Sequence, residues 1–251
     1  MIKFFVILLA NFFMGVFQMS KIFIKNLYKS FDIQNKKVNV FSDFSLELST
    51  EGITVILGRS GCGKTTLLRL ICGLDKDYTG EIIKGSDLKV GIVFQEPRLM
   101  PWLNLYENIT FGINKVDIDK EKINELIKLL GLETFEKAYP YQLSGGMQQR
   151  VAIGRTIGYN PSVILMDEPL AALDYFTRSL MQTEILKINQ VIKKGIIFVT
   201  HNIDEALNIA NEIIILDSGK VKRKYTLNTH YPRDLLSDEM LMLKKEILFN
   251  F

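Results

Sequence analysis

Residues Gly58–Thr65, GRSGCGKT, restrict this chain more than any other stretch. They fit the pattern G-x-x-x-x-G-K-[ST]. In that pattern, glycines let successive backbone N–H groups curl around phosphate oxygens with no Cβ in the way. The flanks agree. Gly52–Leu57 (GITVIL) is a continuous apolar run, as in a strand buried on both faces. After the loop, TTLLRLICGL has helical spacing and ends at Gly73. Such a strand–loop–helix unit aims the helix N-terminal dipole at the same anion. Gly58, Arg59, Ser60, Gly61, Cys62 and Gly63 then form the cradle. Lys64 is expected to reach the β- and γ-phosphates, Thr65 to hold Mg²⁺ and Thr66 to add a hydroxyl to the α-phosphate. Cys62 lies inside the loop, so its alkylation is expected to block nucleotide; Cys72 reads as a buried helix thiol.

The rest of the chain alternates between two periodicities. From Lys21, KIFIKNLYKSF and then VNVFSDFSLELS alternate apolar and polar residues, which predicts strands. Gly80–Lys84 and Val90–Gln95 are two more strand candidates, and Leu105 to about Tyr159 reads mostly helical. Buried-strand runs return at Val163–Met166, Ile196–Thr200 and Ile213–Leu216, with helices between them at Thr177–Lys193 and Ile203–Asn211. Strands alternating with helices predict an α/β fold on a mostly parallel sheet, with the helix-rich middle as an inserted subdomain. From Arg233 onward the chain reads as one amphipathic helix.

VILMDE, Val163–Glu168, delivers two carboxylates at the C-terminal end of a buried strand, where ligands bind in open α/β sheets. Asp167 is expected beside Mg²⁺, and Glu168 is placed to act as general base toward an attacking water. Alone this is a weak signal. Beside a phosphate loop it is a strong one.

Composition narrows the alternatives. In 251 residues, hydrophobic residues are 47% and charged residues 24%, which excludes a disordered or low-complexity chain. Two Cys and two His leave no disulfide scaffold and no Cys-rich zinc site. A net charge of +3 with no basic patch argues against a nucleic-acid partner. Mean hydropathy is +0.13, and the excess lies in residues 1–18, MIKFFVILLANFFMGVFQ. This run is short for a membrane span and lacks a signal-peptide cleavage site. It reads as translation from an upstream start codon that is not the real one, as a membrane-associating extension, or as a structural segment. MSKIFIKNLYKSF from Met19 is a natural start for a domain running to residue 251.

Between the phosphate loop and the acidic strand's partners lies LSGGMQQR, Leu143–Arg150. It closely resembles the signature motif of ABC-transporter ATPases. Other motifs of that family then fall in order: Gln95 in VFQEP for the Q-loop, Ala172–Asp174 for the D-loop, His201 in FVTHN for the H-loop, and Phe31 in YKSFD for the aromatic that stacks on adenine. The resemblance covers Met19 to about Leu227. It implies a P-loop NTPase core with a mostly parallel sheet, an antiparallel β subdomain and a helical subdomain at about residues 98–158, with a C-terminal helix at about 233–251. It implies an ATPase using ATP and Mg²⁺. Glu168, His201 and Gln95 would be catalytic, and Thr65, Gln95 and Asp167 would hold the metal. Ser144, Gly145 and Gly146 would join the nucleotide contacts from the opposite subunit, and Asp174 would be a further nucleotide-binding residue. It also implies a homodimer, a transmembrane permease and, indirectly, an extracytoplasmic solute-binding protein. The place would be peripheral, on the cytoplasmic face of the membrane.

The chain departs from the family pattern in having Phe31 where Tyr is commoner, Ala172 where Ser is frequent and Asn202 where Asp usually follows the His. Lys84–Val90 is also shorter than in many relatives. Phe94–Ile113 resembles the coupling region of the nitrate/sulfonate/taurine importer ATPases, with Leu99, Met100, Pro101 and Trp102 as groove candidates. The alternative is an ABC ATPase in a non-transport role.

Overall fold

The computed structural model describes residues 21–251, so segment 1–18 and its readings lie outside the described residues. Strand β1 (Lys21–Ile33) turns directly into β2 (Lys36–Ser49). Gln34 and Asn35 join them with positive φ at both positions, the two-residue turn whose twist suits a hairpin. Strand β4 (Thr79–Ile83) pairs with the other side of β1, giving an antiparallel sheet of order β2-β1-β4.

The second sheet contains β3 (Ile53–Leu57), β5 (Val90–Val93), β6 (Val163–Asp167), β7 (Gly195–Thr200), β8 (Glu212–Asp217) and β9 (Lys220–Thr226). Its order is β5-β6-β7-β3-β8-β9, parallel except for the β8–β9 hairpin. Period two divides its side chains between two cores. Val55, Leu57, Met166, Phe198 and Ile215 face one; Ile56, Leu165, Ile197, Val199 and Ile214 face the other. Helix α1 (Lys64–Ile71) fills the second core with Leu67, Leu68 and Ile71, between the sheet and the apolar face of the hairpin, including Ile22, Ile24 and Phe41. The first core takes the helices of the insert: α2 (Leu105–Thr110), α3 (Lys120–Leu129) and α4 (Gly145–Gly158). It also takes α5 (Tyr175–Ile192), α6 (Ile203–Ile209) and α7 (Asp238–Asn250).

Two expectations need correction. The C-terminal helix starts at Asp238 instead of 233. Arg233 turns inward, donating to the Leu207 carbonyl at 2.8 Å, and Ser237 caps the helix. Nor is this helix cleanly amphipathic: Met240 and Ile247 are buried, while Met242, Leu248 and Phe249 are exposed. Strand β9 has no apolar run to announce it. KVKRKYT is an edge strand, where a row of cations discourages pairing with a further strand.

Candidate functional site

The strand order β6-β7-β3 sets three C-terminal ends side by side. Asp167 pairs with Val199, and Leu57 pairs with Thr200. The loop leaving β3 is tied to β7 at once, because the Gly58 N–H donates to the Thr200 carbonyl at 3.3 Å. Gly63 closes the loop at φ 106, where a Cβ would stand 2.9 Å from both Phe41 Cζ and Val40 Cγ1. That position excludes every side chain on both backbone and contact grounds.

Lys64 is buried. Its ammonium donates to the carbonyls of Gly58 (2.8 Å) and Arg59 (3.0 Å) and lies 3.4 Å from Glu168 Oε1. Thr65 Oγ1 donates to Asp167 Oδ1 at 2.9 Å. Burial pushes the Asp167 carboxyl above its ordinary range; the Thr65 bond opposes this and the neighbouring Glu168 charge adds to it. Glu168 follows the strand at φ 44, a left-handed conformation that costs a non-glycine residue about 1 kcal/mol or more. The Glu168 N–H donates to the Val199 carbonyl at 3.0 Å, and its Oε2 lies 2.9 Å from His201 Nδ1. One carboxylate therefore bridges the loop lysine and the histidine at the end of β7.

Gln95 follows the strand that pairs with β6. It is exposed, two residues beyond Val93, which pairs with Met166. The Thr65 hydroxyl, the Asp167 carboxylate and the Gln95 amide are hard oxygen donors, the set Mg²⁺ prefers, and the buried Asp167 charge has use for a cation. Phe31 is placed through the hairpin. Lys29 lies directly opposite Phe41, so the two share a face, and Phe31 is two residues further along β1. Since the Phe41 ring abuts Gly63, Phe31 belongs to the side of the hairpin that faces the loop; it is 38% exposed.

The signature residues are arranged differently. Ser144 caps α4, accepting from the Met147 N–H at 3.3 Å. Nothing lies within 4 Å of a Cβ at Gly145, whereas one at Gly146 would meet Thr177 Cγ2 at 2.9 Å. The start of α4 thus packs on the start of α5 at Gly146 and leaves Ser144 and Gly145 exposed. Asp174 caps α5 through the N–H groups of Phe176 and Thr177 (both 3.1 Å). The side-chain bond to Thr177 and these N–H bonds hold its carboxyl below the usual range. Among the described residues, no hydrogen bond joins Ser144–Gly146 or Asp174 to the phosphate loop. One chain brings together Lys64, Thr65, Asp167, Glu168 and His201, and keeps the signature apart.

A profile of the ABC transporter family matches residues 41–171. A Bacillus cereus protein named aliphatic sulfonates import ATP-binding protein is 40% identical over 237 residues, 91% of this chain and 94% of that relative. The chain belongs to the ABC transporter ATPases. A Shigella sonnei taurine import ATP-binding protein is 41% identical over 207 residues, covering 78% of this ABC ATPase and 81% of the relative. Among solved structures, a dimeric ATP-binding cassette in a post-hydrolysis state, bound to ADP and Pi, superposes with a TM-score of 0.72 at 33% identity. That match covers 83% of this chain and 100% of the other. No helix among the described residues is long and apolar enough to cross a membrane.

Several positions of this ABC ATPase look different once folded. Cys62 is buried and burial pushes its thiol up, so it is a poor target for alkylation despite its place in the loop. Leu99 packs on the core and Met100 is half-buried, while Pro101 is exposed and Trp102 is 69% exposed. Sequence reading passed over Asn108. This fully buried residue donates to the carbonyls of Met100, Leu103 and Asn104 and accepts from the Met100 N–H. It also passed over Arg155, which clamps the carbonyls of Pro97 and Arg98 (both 2.9 Å). Together they fix the segment that displays Trp102. Only the helix start was legible there, as the Asn104–Glu107 capping box.

Proposed function

We propose that this chain is the ATP-hydrolysing subunit of an importer for a small solute of the nitrate/sulfonate/taurine type. Both import relatives carry names of sulfonate compounds, taurine being an aminosulfonate, so an organosulfonate is the favoured cargo. The carrying observation is the Glu168 carboxylate poised between Lys64 and His201 at the mouth of the phosphate loop.

In this reading the loop N–H groups and Lys64 bind the β- and γ-phosphates, and Phe31 receives the adenine. Thr65, Asp167 and Gln95 would hold Mg²⁺, which supplies charge neutralisation for the phosphates when bound. Glu168 accepts a proton from the attacking water, and His201 holds Glu168 and the γ-phosphate in register. The open start of α4 at Ser144–Gly146 supplies anion donors that its own loop does not use. A second copy of the chain presents them to the γ-phosphate, so two subunits enclose two ATP molecules. The segment Leu99–Trp102 docks a permease, leaving the subunit peripheral on the cytoplasmic face of the membrane, with a solute-binding protein delivering cargo from outside.

Two measurements test this. ATP should convert monomer to dimer on size exclusion in a hydrolysis-slowed variant, and Ser144→Arg should abolish that dimer while preserving ATP binding to the monomer. Co-purification with the transporter's permease subunit should require Trp102. A Ser144→Arg protein that still dimerises with ATP overturns the sandwich. Full permease association after Trp102→Ala overturns the docking segment.

A further inference from the structure

Lys29 has no role assigned to it in the YKSFD string around Phe31, yet it is the most deeply buried cation on the hairpin. Its side chain is 2% exposed. The ammonium donates to Asp75 Oδ1 at 3.0 Å, to the Asp77 carbonyl at 2.6 Å and to Asp77 Oδ2 at 3.3 Å. It also sits 4.6 Å from the centroid of the Phe31 ring. Asp75 and Asp77 belong to the loop that ends α1, and the Asp75 N–H donates to the Arg69 carbonyl on that helix. A single ammonium thus connects the helix that receives the phosphates to the ring that would receive the base.

We propose that Lys29 is a positioning residue for the nucleotide base, fixing the Phe31 ring at a set distance from the phosphate helix and polarising it for stacking. This rests on the reading of Phe31 as the adenine platform. Two physical effects are involved. A cation against an aromatic ring draws its π-density toward the charge, which leaves the remaining surface better matched to an electron-rich purine. A ring restrained before binding also loses less freedom when the base arrives. The anchoring carboxylates, both in the loop that ends α1, keep the ammonium in place. Phe31 lies near the exposed end of a long hairpin, three residues before the turn, where a side chain has few other restraints.

The test separates base from phosphate. Affinity for Mg·ATP and for Mg·tripolyphosphate, which has no base, is measured by calorimetry on the full chain, with steady-state ATPase kinetics beside it. Lys29→Met should weaken ATP about 3- to 10-fold, leave tripolyphosphate unchanged, and raise KM at constant kcat. Lys29→Arg, which retains the cation, should recover most of the loss. The Met variant should fold, because the carboxylates it strands reach water: the Asp75 side chain is 20% exposed and that of Asp77 94%. Asp75→Asn, which loosens the anchor without removing the cation, should give a smaller loss with the same base dependence. Phe31→Ala serves as the control and should weaken ATP about 5- to 100-fold. If Phe31→Ala spares ATP, the platform reading itself fails. If Phe31→Ala loses ATP while Lys29→Met binds like wild type, the role of Lys29 alone is overturned. Equal losses for ATP and tripolyphosphate in Lys29→Met would make Lys29 a brace for α1 and also overturn it.

Discussion

Glu168→Gln has three separable consequences, because Glu168 touches both the loop lysine and the histidine. The first is on the ligand-free protein. At 3.4 Å from Lys64, with an effective dielectric near 20, the gross attraction is about 5 kcal/mol. Desolvation of two largely buried groups cancels most of it. Glutamine still offers Lys64 an oxygen, so the net loss is that between a charged and a neutral hydrogen bond, about 1 kcal/mol. In a chain of this length that lowers Tm by about 2–4 °C. The second consequence has the opposite sign. An incoming phosphate must take Lys64 over from the Glu168 carboxylate. Removing that competing anion should tighten ATP binding by the same ~1 kcal/mol, about 5-fold. The third is chemical: without the base, kcat should fall by about 10² to 10⁴. Differential scanning calorimetry, ATP titration calorimetry and phosphate release read the three in turn. Wild-type turnover in Glu168→Gln refutes the base assignment. Unchanged or weaker ATP binding refutes the claim that Glu168 and phosphate compete for Lys64.

Asp167→Asn should stabilise the ligand-free protein at neutral pH. Burial raises the Asp167 pKa above its ordinary 3.8, so folding takes up a proton in that window and stability falls as pH rises through it. Melting curves should show the Asn variant above wild type at pH 7, with the gap closing toward pH 4, while Mg²⁺-dependent nucleotide binding weakens. Asn108→Ala leaves the Leu103 carbonyl and the Met100 N–H beneath Trp102 without the amide that paired them, at a cost of about 2–4 kcal/mol; permease co-purification should suffer more than ATP affinity, read by pull-down and calorimetry. Cys62 should react with N-ethylmaleimide at least about 10-fold more slowly than an exposed thiol, given its burial and raised pKa. Mass spectrometry of timed samples checks this, and labelling as fast as free cysteine contradicts the buried position.

Much of the site was legible because its chemistry is local in sequence. GRSGCGKT carries its own strand and helix, and VILMDE carries its own burial. Apolar runs located β3, β6, β7 and β8 to within a residue or two, since a strand buried on both faces leaves no room for polar interruptions. What stayed hidden depends on how loops and separate segments fold against one another. Lys29 is an ordinary strand lysine until Asp75 and Asp77 fold against it. Asn108 reads as one polar residue in a helix, and although its four bonds all go to the preceding Met100–Asn104 loop, nothing in that loop's sequence announces its bend. Strand β9 was missed because an edge strand needs no apolar alternation; its Ser218–Gly219 turn, with positive φ at both residues, was the available signal. The late start of α7 follows from Arg233 being recruited inward, a tertiary event with no local signature.

The placement of β3 has a consequence for how the protein is made. This strand ends at Leu57, but its two neighbours in the sheet are β7 and β8, and the latter is complete only at Asp217. The phosphate loop leaves the ribosome early, and the strand before it then lacks its full set of neighbours while 160 further residues are added. At about 5–20 residues per second that interval is roughly 8–30 s. Throughout it, the apolar strand Ile53–Leu57 has at least one edge uncovered, and the nascent chain carries its nucleotide-binding motif without a complete nucleotide-binding site. ATP therefore cannot guide the early folding of this domain, and it becomes a ligand only when about six-sevenths of the sequence has emerged.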